Sequence, residues 1–201
     1  MLTPEPVVLE NAVVRLESLA EAHLADLAAA VAADEAAFRV SGPGAEPGGI
    51  DGWYATAFAQ TAAGTRIPFT VVDLATGRAV GSSSYLDMAP ADDRLEIGHT
   101  WYGGPWQGSA INPASKQLLL GHAFDTLGAR RVMLKCDARN ERSRRAIKAL
   151  GAKFEGVLRS YGRRAEDPTR LRDAAVYSIV AAEWPAVNER LSERLASFAA
   201  A

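Results

Sequence analysis

WYGGPWQGSAINPASKQLLLGHAFDTLGARRVMLKCDARNERSRRAIKALGAKFEG, Trp101 to Gly156, is the stretch on which the reading of this chain turns. It sets a small-residue turn, a helix, a strand and a second capped helix in immediate succession. Pro113 suits the first turn of a helix, where its missing N–H leaves nothing unpaired. Leu120, Phe124 and Leu127 recur at i, i+4 and i+7, and Gly128 closes that helix. Arg131 to Cys136 is predicted as a strand. Asn140 is placed as an N-cap, with Glu141 in the positive first turn, Ile147 and Leu150 facing inward, and Gly151 as the stop.

The turn itself is Gln107-Gly108-Ser109-Ala110-Ile111-Asn112. Small residues let a backbone approach a ligand closely, and the helix that follows presents unpaired N–H groups with a partial positive charge. Together they suit an anion, with a pyrophosphate as the natural guest. No Gly-Lys-Ser/Thr follows, which excludes a Walker loop, and no GxGxxG is present for a dinucleotide turn. A tight turn that only redirects the chain is the alternative that the turn alone leaves open.

Working upstream, Val13 to Leu19 reads as an opening strand and Glu21 to Val31 as an Ala-rich helix with Leu24 and Leu27 on one face. The Gly/Pro-rich segment 41–49 is a loop, and Ile50 to Thr61 a helix carrying Trp53, Tyr54 and Phe58. Ile67 to Leu74 and Ala79 to Met88 form a hairpin through Ala75-Thr76-Gly77-Arg78, and Leu95 to Tyr102 is a third strand. Downstream, Val157 to Tyr161 and Ala174 to Val180 are strands separated by the polar turn Arg164 to Arg172. From Pro185 the tail is an amphipathic helix (185–199) with Val187, Leu191 and Leu195 spaced by four. The expected architecture is one α+β domain over residues 1–201, a mixed sheet of about seven strands with helices packed on it.

The bulk numbers agree with one well-buried core: 201 residues, 48% hydrophobic and 23% charged. A net charge of −2 gives no electrostatic case for nucleic acid or an anionic membrane. The single cysteine, Cys136, excludes an intrachain disulfide and argues against a cysteine-based metal site. The N-terminal residues lack a signal pattern, and no apolar run reaches the roughly 20 residues that span a bilayer. A cytoplasmic protein is the expectation.

The stretch resembles the GNAT superfamily of acyl-CoA-dependent N-acetyltransferases, in the branch of the ribosomal-protein N-terminal acetyltransferases (RimJ/RimL-like). The residues that carry the resemblance are Leu95-Glu96-Ile97-Gly98, Trp106 to Asn112, Leu134 to Ser143 and Ala149 to Gly156. It implies a mostly antiparallel sheet with splayed central strands and helices on both faces. It also implies acetyl-CoA as co-substrate, its pyrophosphate on the amides of Gln107, Gly108, Ser109, Ala110, Ile111 and Asn112, and its pantetheine arm in the splay. Asn140 matches the asparagine that contacts this arm, and Ser143 a position that stabilises the leaving thiolate. The turn departs from the family pattern at Ala110, where a glycine usually sits. Either the loop bends differently or Gly108 takes the left-handed conformation that alanine tolerates poorly. A basic residue usual after the glutamine is also missing, which removes one phosphate partner.

Transfer to an amine needs a neutral nucleophile, a polarised carbonyl and a stabilised leaving group. Glu96, on the strand leading to the turn, is the candidate base. A solvated edge carboxylate or a salt-bridge partner is its alternative role. With an ordinary carboxylate, loss of Glu96 tells mainly at low pH, where proton removal is hardest. His99 is the rival base; strand alternation places it on the face of Ile97. Ser143 is the thiolate donor, with first-turn capping as its other role and Tyr177 as a rival. Cys136 reads as a packed, inert thiol, so transfer is direct. Trp53, Tyr54 and Trp101 are candidates for the acceptor side. The acceptor is a protein N-terminus or a small-molecule amine. A catalytically silent acyl-CoA sensor is the competing reading. The C-terminal helix docks either on its own sheet or on a second subunit, which would make a homodimer.

Overall fold

The computed structural model describes residues 4–34, 38, 42–164 and 167–200. Its frame is one sheet of eight strands in the order β1-β2-β3-β4-β5-β6-β8-β7. The strands are β1 (Leu9–Glu10), β2 (Val14–Ser18), β3 (Arg66–Asp73), β4 (Arg78–Ala89), β5 (Arg94–Tyr102), β6 (Arg131–Asp137), β7 (Lys153–Arg163) and β8 (Leu171–Val180). The eighth strand, beyond the seven expected, is the two-residue β1. It is too short to show alternation, and it is held by a turn in which the Asn11 carboxamide accepts from the N–H groups of Val13 and Val14. The helices are α1 (Leu24–Ala32), α2 (Gly49–Ala62), α3 (Ile111–Gly121), α4 (Glu141–Ala149) and α5 (Trp184–Ala199). None is long and apolar enough to cross a membrane among the described residues.

Two apolar layers cover the sheet. Leu27, Ala30 and Val31 of α1 and Trp53 and Ala57 of α2 cluster with Leu19, Phe38 and Trp101. On the other side α3 and α5 pack with Leu16, Phe69, Val71, Tyr85, Leu95 and Ile97. Leu119, Leu120 and Leu191 are sealed from water there, each burial contributing roughly 1.5–3 kcal/mol. The C-terminal helix therefore docks on its own chain, and Gln117 of α3 donates to Asn188 and Ser192 of α5.

Every strand pair is antiparallel except β5 with β6, which α3 joins as a crossover. That parallel ladder is short: Arg94 faces Arg131, Leu95 faces Val132, Glu96 faces Met133, and there it stops. Beyond it β5 stays with β4 as far as Gly81 opposite Tyr102, while β6 stays with β8 as far as Asp137 opposite Ala174. The two strands diverge, leaving a V-shaped gap in the middle of the sheet.

A bulge at the same place re-aims β5. Ser82 pairs with Trp101 but Ser84 with Gly98, so Ser83 alone faces both His99 and Thr100. His99 has φ +46, in the left-handed region. The extra residue reverses the alternation. Ile97 and Tyr102 belong to the α3 layer, whereas Trp101 belongs to the α1/α2 layer. Trp101 therefore lies on the opposite face from Ile97, although alternation alone would put both on one face, because a periodicity of two does not survive an inserted residue.

Candidate active site

The gap between β5 and β6 widens into a cleft of about 760 Å³ that reaches the turn before α3. Its position follows from the chain. The indole N–H of Trp106 donates to Asp73 at the end of β3 (3.1 Å), which anchors the loop that leads into the turn. Gly108 has φ +76 and Ala110 φ −65, so the glycine takes the left-handed position and the alanine none of the strain. Helix α3 starts at Ile111, two residues earlier than Pro113 suggests, and its N-cap residue, Ala110, offers no side-chain acceptor. The N–H groups of Gly108, Ser109, Ala110 and Asn112 have no protein acceptor among the described residues.

The six turn residues divide by role. Gln107, Gly108 and Asn112 line the cleft; Ser109, Ala110 and Ile111 do not. Ser109 is turned inward, donating to the Trp106 carbonyl (2.7 Å) and accepting from the Ile111 N–H. The Ile111 side chain is core. The N–H of Gln107 is already bonded to the Gly104 carbonyl. Its side chain instead donates to the Tyr102 carbonyl at the end of β5 and accepts from Arg142 of α4. Arg142 also lines the cleft, so a guanidinium from another element stands where the turn lacks a basic residue.

At the apex of the V lies Glu96, 5% exposed. Its carboxylate is 2.7 Å from the Lys135 ammonium, which also donates to Asp87 (2.9 Å) and to the Tyr161 hydroxyl (2.8 Å). Burial pushes the Glu96 carboxyl up to about 7; the Lys135 ammonium opposes this and the neighbouring Asp87 reinforces it. Hydrogen bonding to Lys135 holds Asp87 below its ordinary value. Lys135 itself stays charged: burial disfavours the ammonium, but its bonds to Glu96, Tyr161 and Asp87 outweigh that. Gly98 leaves room for the Glu96 carboxylate in this position, because a Cβ there would meet the Glu96 Oε1 and Leu86 Cδ1 at 2.8 Å and one of them would have to shift. The result is a carboxyl poised near neutrality and facing a cleft, the condition a general base needs.

The remaining candidates separate. Ser143 lines the cleft from the first turn of α4, its N–H donating to Asn140 Oδ1 (2.9 Å) as the cap predicts. Asn140 lines the cleft as well. Cys136 lies close enough to hydrogen-bond Ser143, and burial pushes its thiol up, away from the reactive thiolate. His99 lines the cleft wall; crowding by protein and the nearby cations Arg66, Arg172 and Lys135 push its imidazole down to about 4. It is neutral at physiological pH. Tyr177 is fully buried in β8, where its hydroxyl accepts from Arg144 and its ring packs on Phe154; it does not line the cleft. Among the described residues no group of three or more His, Cys, Asp or Glu side chains is placed to hold a metal.

A family model described as an acetyltransferase (GNAT) domain matches residues 14–153. The chain belongs to the GNAT acetyltransferase family. A T. thermophilus protein assigned to the acetyltransferases is 36% identical, with a TM-score of 0.84 over 96% of this chain and 99% of that one. A GCN5-related N-acetyltransferase from Brucella melitensis is 29% identical, with a TM-score of 0.82 over 96% and 86%. Mycobacterium smegmatis RimJ, in complex with CoA-disulfide, shares the fold at 21% identity, with a TM-score of 0.74 over 94% and 93%. None of the curated proteins matches the sequence.

In this GNAT chain the wall of the cleft opposite α4 is aromatic. Trp101 makes edge contacts with Trp53 (5.3 Å) and Phe38 (5.7 Å), and Trp53 and Trp101 both line the cleft. Tyr54 does not; its ring packs on Phe58, since neighbouring helix residues point in different directions. Arg163, Arg164 and Arg172 reach the cleft from β7, β8 and the segment between them, part of which lies outside the described residues. Asp87, Lys135, Tyr161 and Arg142 are site residues that the sequence reading passed over. Only the strand order brings the first three together: β4 and β6 flank β5, and β7 lies beyond β8. Arg142 carries one local signal, its place in the first turn after the Asn140 cap.

Proposed function

We propose that the protein is an acetyl-CoA-dependent N-acetyltransferase that moves the acetyl group directly to a primary amine, either a protein N-terminus or a small-molecule amine. The observation that carries the reading is the open gap between β5 and β6, which reaches Gly108 and Asn112 in a turn where the N–H groups of Gly108, Ser109, Ala110 and Asn112 have no protein acceptor among the described residues. These features fit a CoA thioester. The amides and Arg142 suit its pyrophosphate, and the unpaired edges of β5 and β6 suit the amides of its arm. The CoA-disulfide held by the M. smegmatis RimJ of the same fold supports this placement. The motif string from Leu95 to Gly156 is similar to the RimJ/RimL-like branch, which favours a protein N-terminus among the acceptors.

When bound, acetyl-CoA supplies the activated acyl group. The residues of the chain supply position and proton handling. Glu96, ionising near 7, accepts the proton that the amine loses as it attacks, directly or through water. Lys135 and Asp87 hold its carboxyl at the apex. The Ser143 hydroxyl, on the α4 wall, donates a hydrogen bond to the departing thiolate. Trp53 and Trp101 flank the acceptor, and their apolar surface favours the neutral amine over the ammonium. The raised thiol of Cys136 favours direct transfer over an acyl-cysteine.

Thiol release from acetyl-CoA across a panel of amines and N-terminal peptides tests the reading; release that depends on the amine is expected. A catalytically silent acyl-CoA module is the second reading, favoured by the tie of Gln107 to Arg142 across the cleft and by the ion pairing of Glu96. Binding of acetyl-CoA without thiol release for any amine would establish it instead.

A further inference from the structure

Lys116 lies in the body of α3 with 4% of its surface exposed, and the transfer chemistry above makes no use of it. Its Nζ is 2.8 Å from the Ser83 Oγ and 2.6 Å from the Thr100 Oγ1, and those two oxygens are 2.8 Å apart. Among the described residues no carboxylate is paired with this amine. Nζ donates to both oxygens, and the two hydroxyls share a hydrogen bond, which closes a ring of three side chains. Burial pushes the amine down to about 7.

The location of the ring gives it a task. Ser83 and Thr100 are the two sides of the bulge, so Lys116 ties α3 to β4 and β5 at the step where the alternation of β5 reverses. Just before that step the ladder to β6 ends, and the extra residue His99 sits in the left-handed region. A bulged residue gains nothing from the ladder and needs support from elsewhere. Lys116 also lines the cleft, between the turn and the apex.

We propose that Lys116 is a positioning residue for the acyl-CoA arm: through Ser83 and Thr100 it locks the bulge that keeps the end of β5 turned away from β6 and its edge free. The proposal rests on the acyl-CoA reading and adds a residue to it. It acts on the shape of the binding site, so its loss should appear in the use of acetyl-CoA and leave the chemical step alone. Lys116→Met keeps the length and removes the donor; Thr100→Val keeps the shape and removes the hydroxyl. Each is expected to raise KM for acetyl-CoA about tenfold, the effect of one lost hydrogen bond of roughly 1.4 kcal/mol, with kcat within about twofold. The double variant should be no worse than the poorer single one, because both break the same ring. In ligand-free protein, amide exchange across Gly98 to Tyr102 should quicken in both variants. A folded Lys116→Met protein with wild-type KM and exchange overturns the proposal, as do multiplicative effects in the double variant. If Lys116→Met does not fold, an unchanged Thr100→Val protein overturns it alone. Failure of the wild-type protein to bind acetyl-CoA overturns the parent reading as well, which separates the two failures.

Discussion

Glu96 shows how burial changes what a residue is for. On the sequence it is a carboxylate on a strand, and loss of an ordinary carboxylate base would tell mainly at low pH. In the fold its ionisation is raised to about 7, which moves the expected effect. Below pH 7 the wild-type carboxyl is itself protonated and loses its advantage over glutamine about tenfold per pH unit. The ratio of wild-type to Glu96→Gln kcat/KM should therefore climb with pH up to about 7 and then level, with a loss on the order of 10²–10³ at the plateau. A flat ratio across that range removes Glu96 from the role. Its identity as the candidate was legible because it stands one residue before Ile97-Gly98 in the motif. Its partners were not, because Asp87, Lys135 and Tyr161 lie on three other strands. The face of Trp101 was hidden for a related reason: the bulge before it is set by pairing with β4, which no local pattern records.

At the scale of elements, the turn and α3 show what composition tells and where it stops. The small residues and the helix behind them were readable, and the left-handed glycine was one of two arrangements the turn allowed. Which backbone groups remain unpaired depends on contacts such as Ser109 folding back on Trp106. Arg142 is the clearest gain from the structure, since the basic group absent from the turn arrives from α4. Arg142→Ala is expected to weaken acetyl-CoA binding about tenfold in titration calorimetry, with a shallower dependence on salt than wild type. Equal affinity and equal salt dependence would place the phosphate groups elsewhere. The strands at the end of the chain were read short. β7 runs from Lys153 to Arg163, but it is exposed along most of its length and so lacks the apolar alternation that marks a half-buried strand.

For the whole molecule, the order of elements was the most legible feature, because each helix carries an apolar face and each hairpin its turn residues. The sheet order β5-β6-β8-β7 was not, since pairing of distant strands leaves no periodic trace. The packing makes α5 part of the frame that supports α3. Leu191, sealed from water between them, predicts that Leu191→Ala lowers stability by roughly 2–5 kcal/mol, measured as a fall in the urea midpoint with unchanged slope. A neutral effect would mean that α5 is not docked on this layer in solution. The central claim is that amides at the start of α3 hold the phosphates of a CoA thioester in a sheet already open to receive its arm. Amide chemical shifts recorded during titration with acetyl-CoA test it directly. The account predicts large, saturable shifts at Gly108, Ser109, Ala110 and Asn112, with little change at Gln107, whose N–H is already bonded. Saturating acetyl-CoA that leaves those four amides unmoved would contradict it.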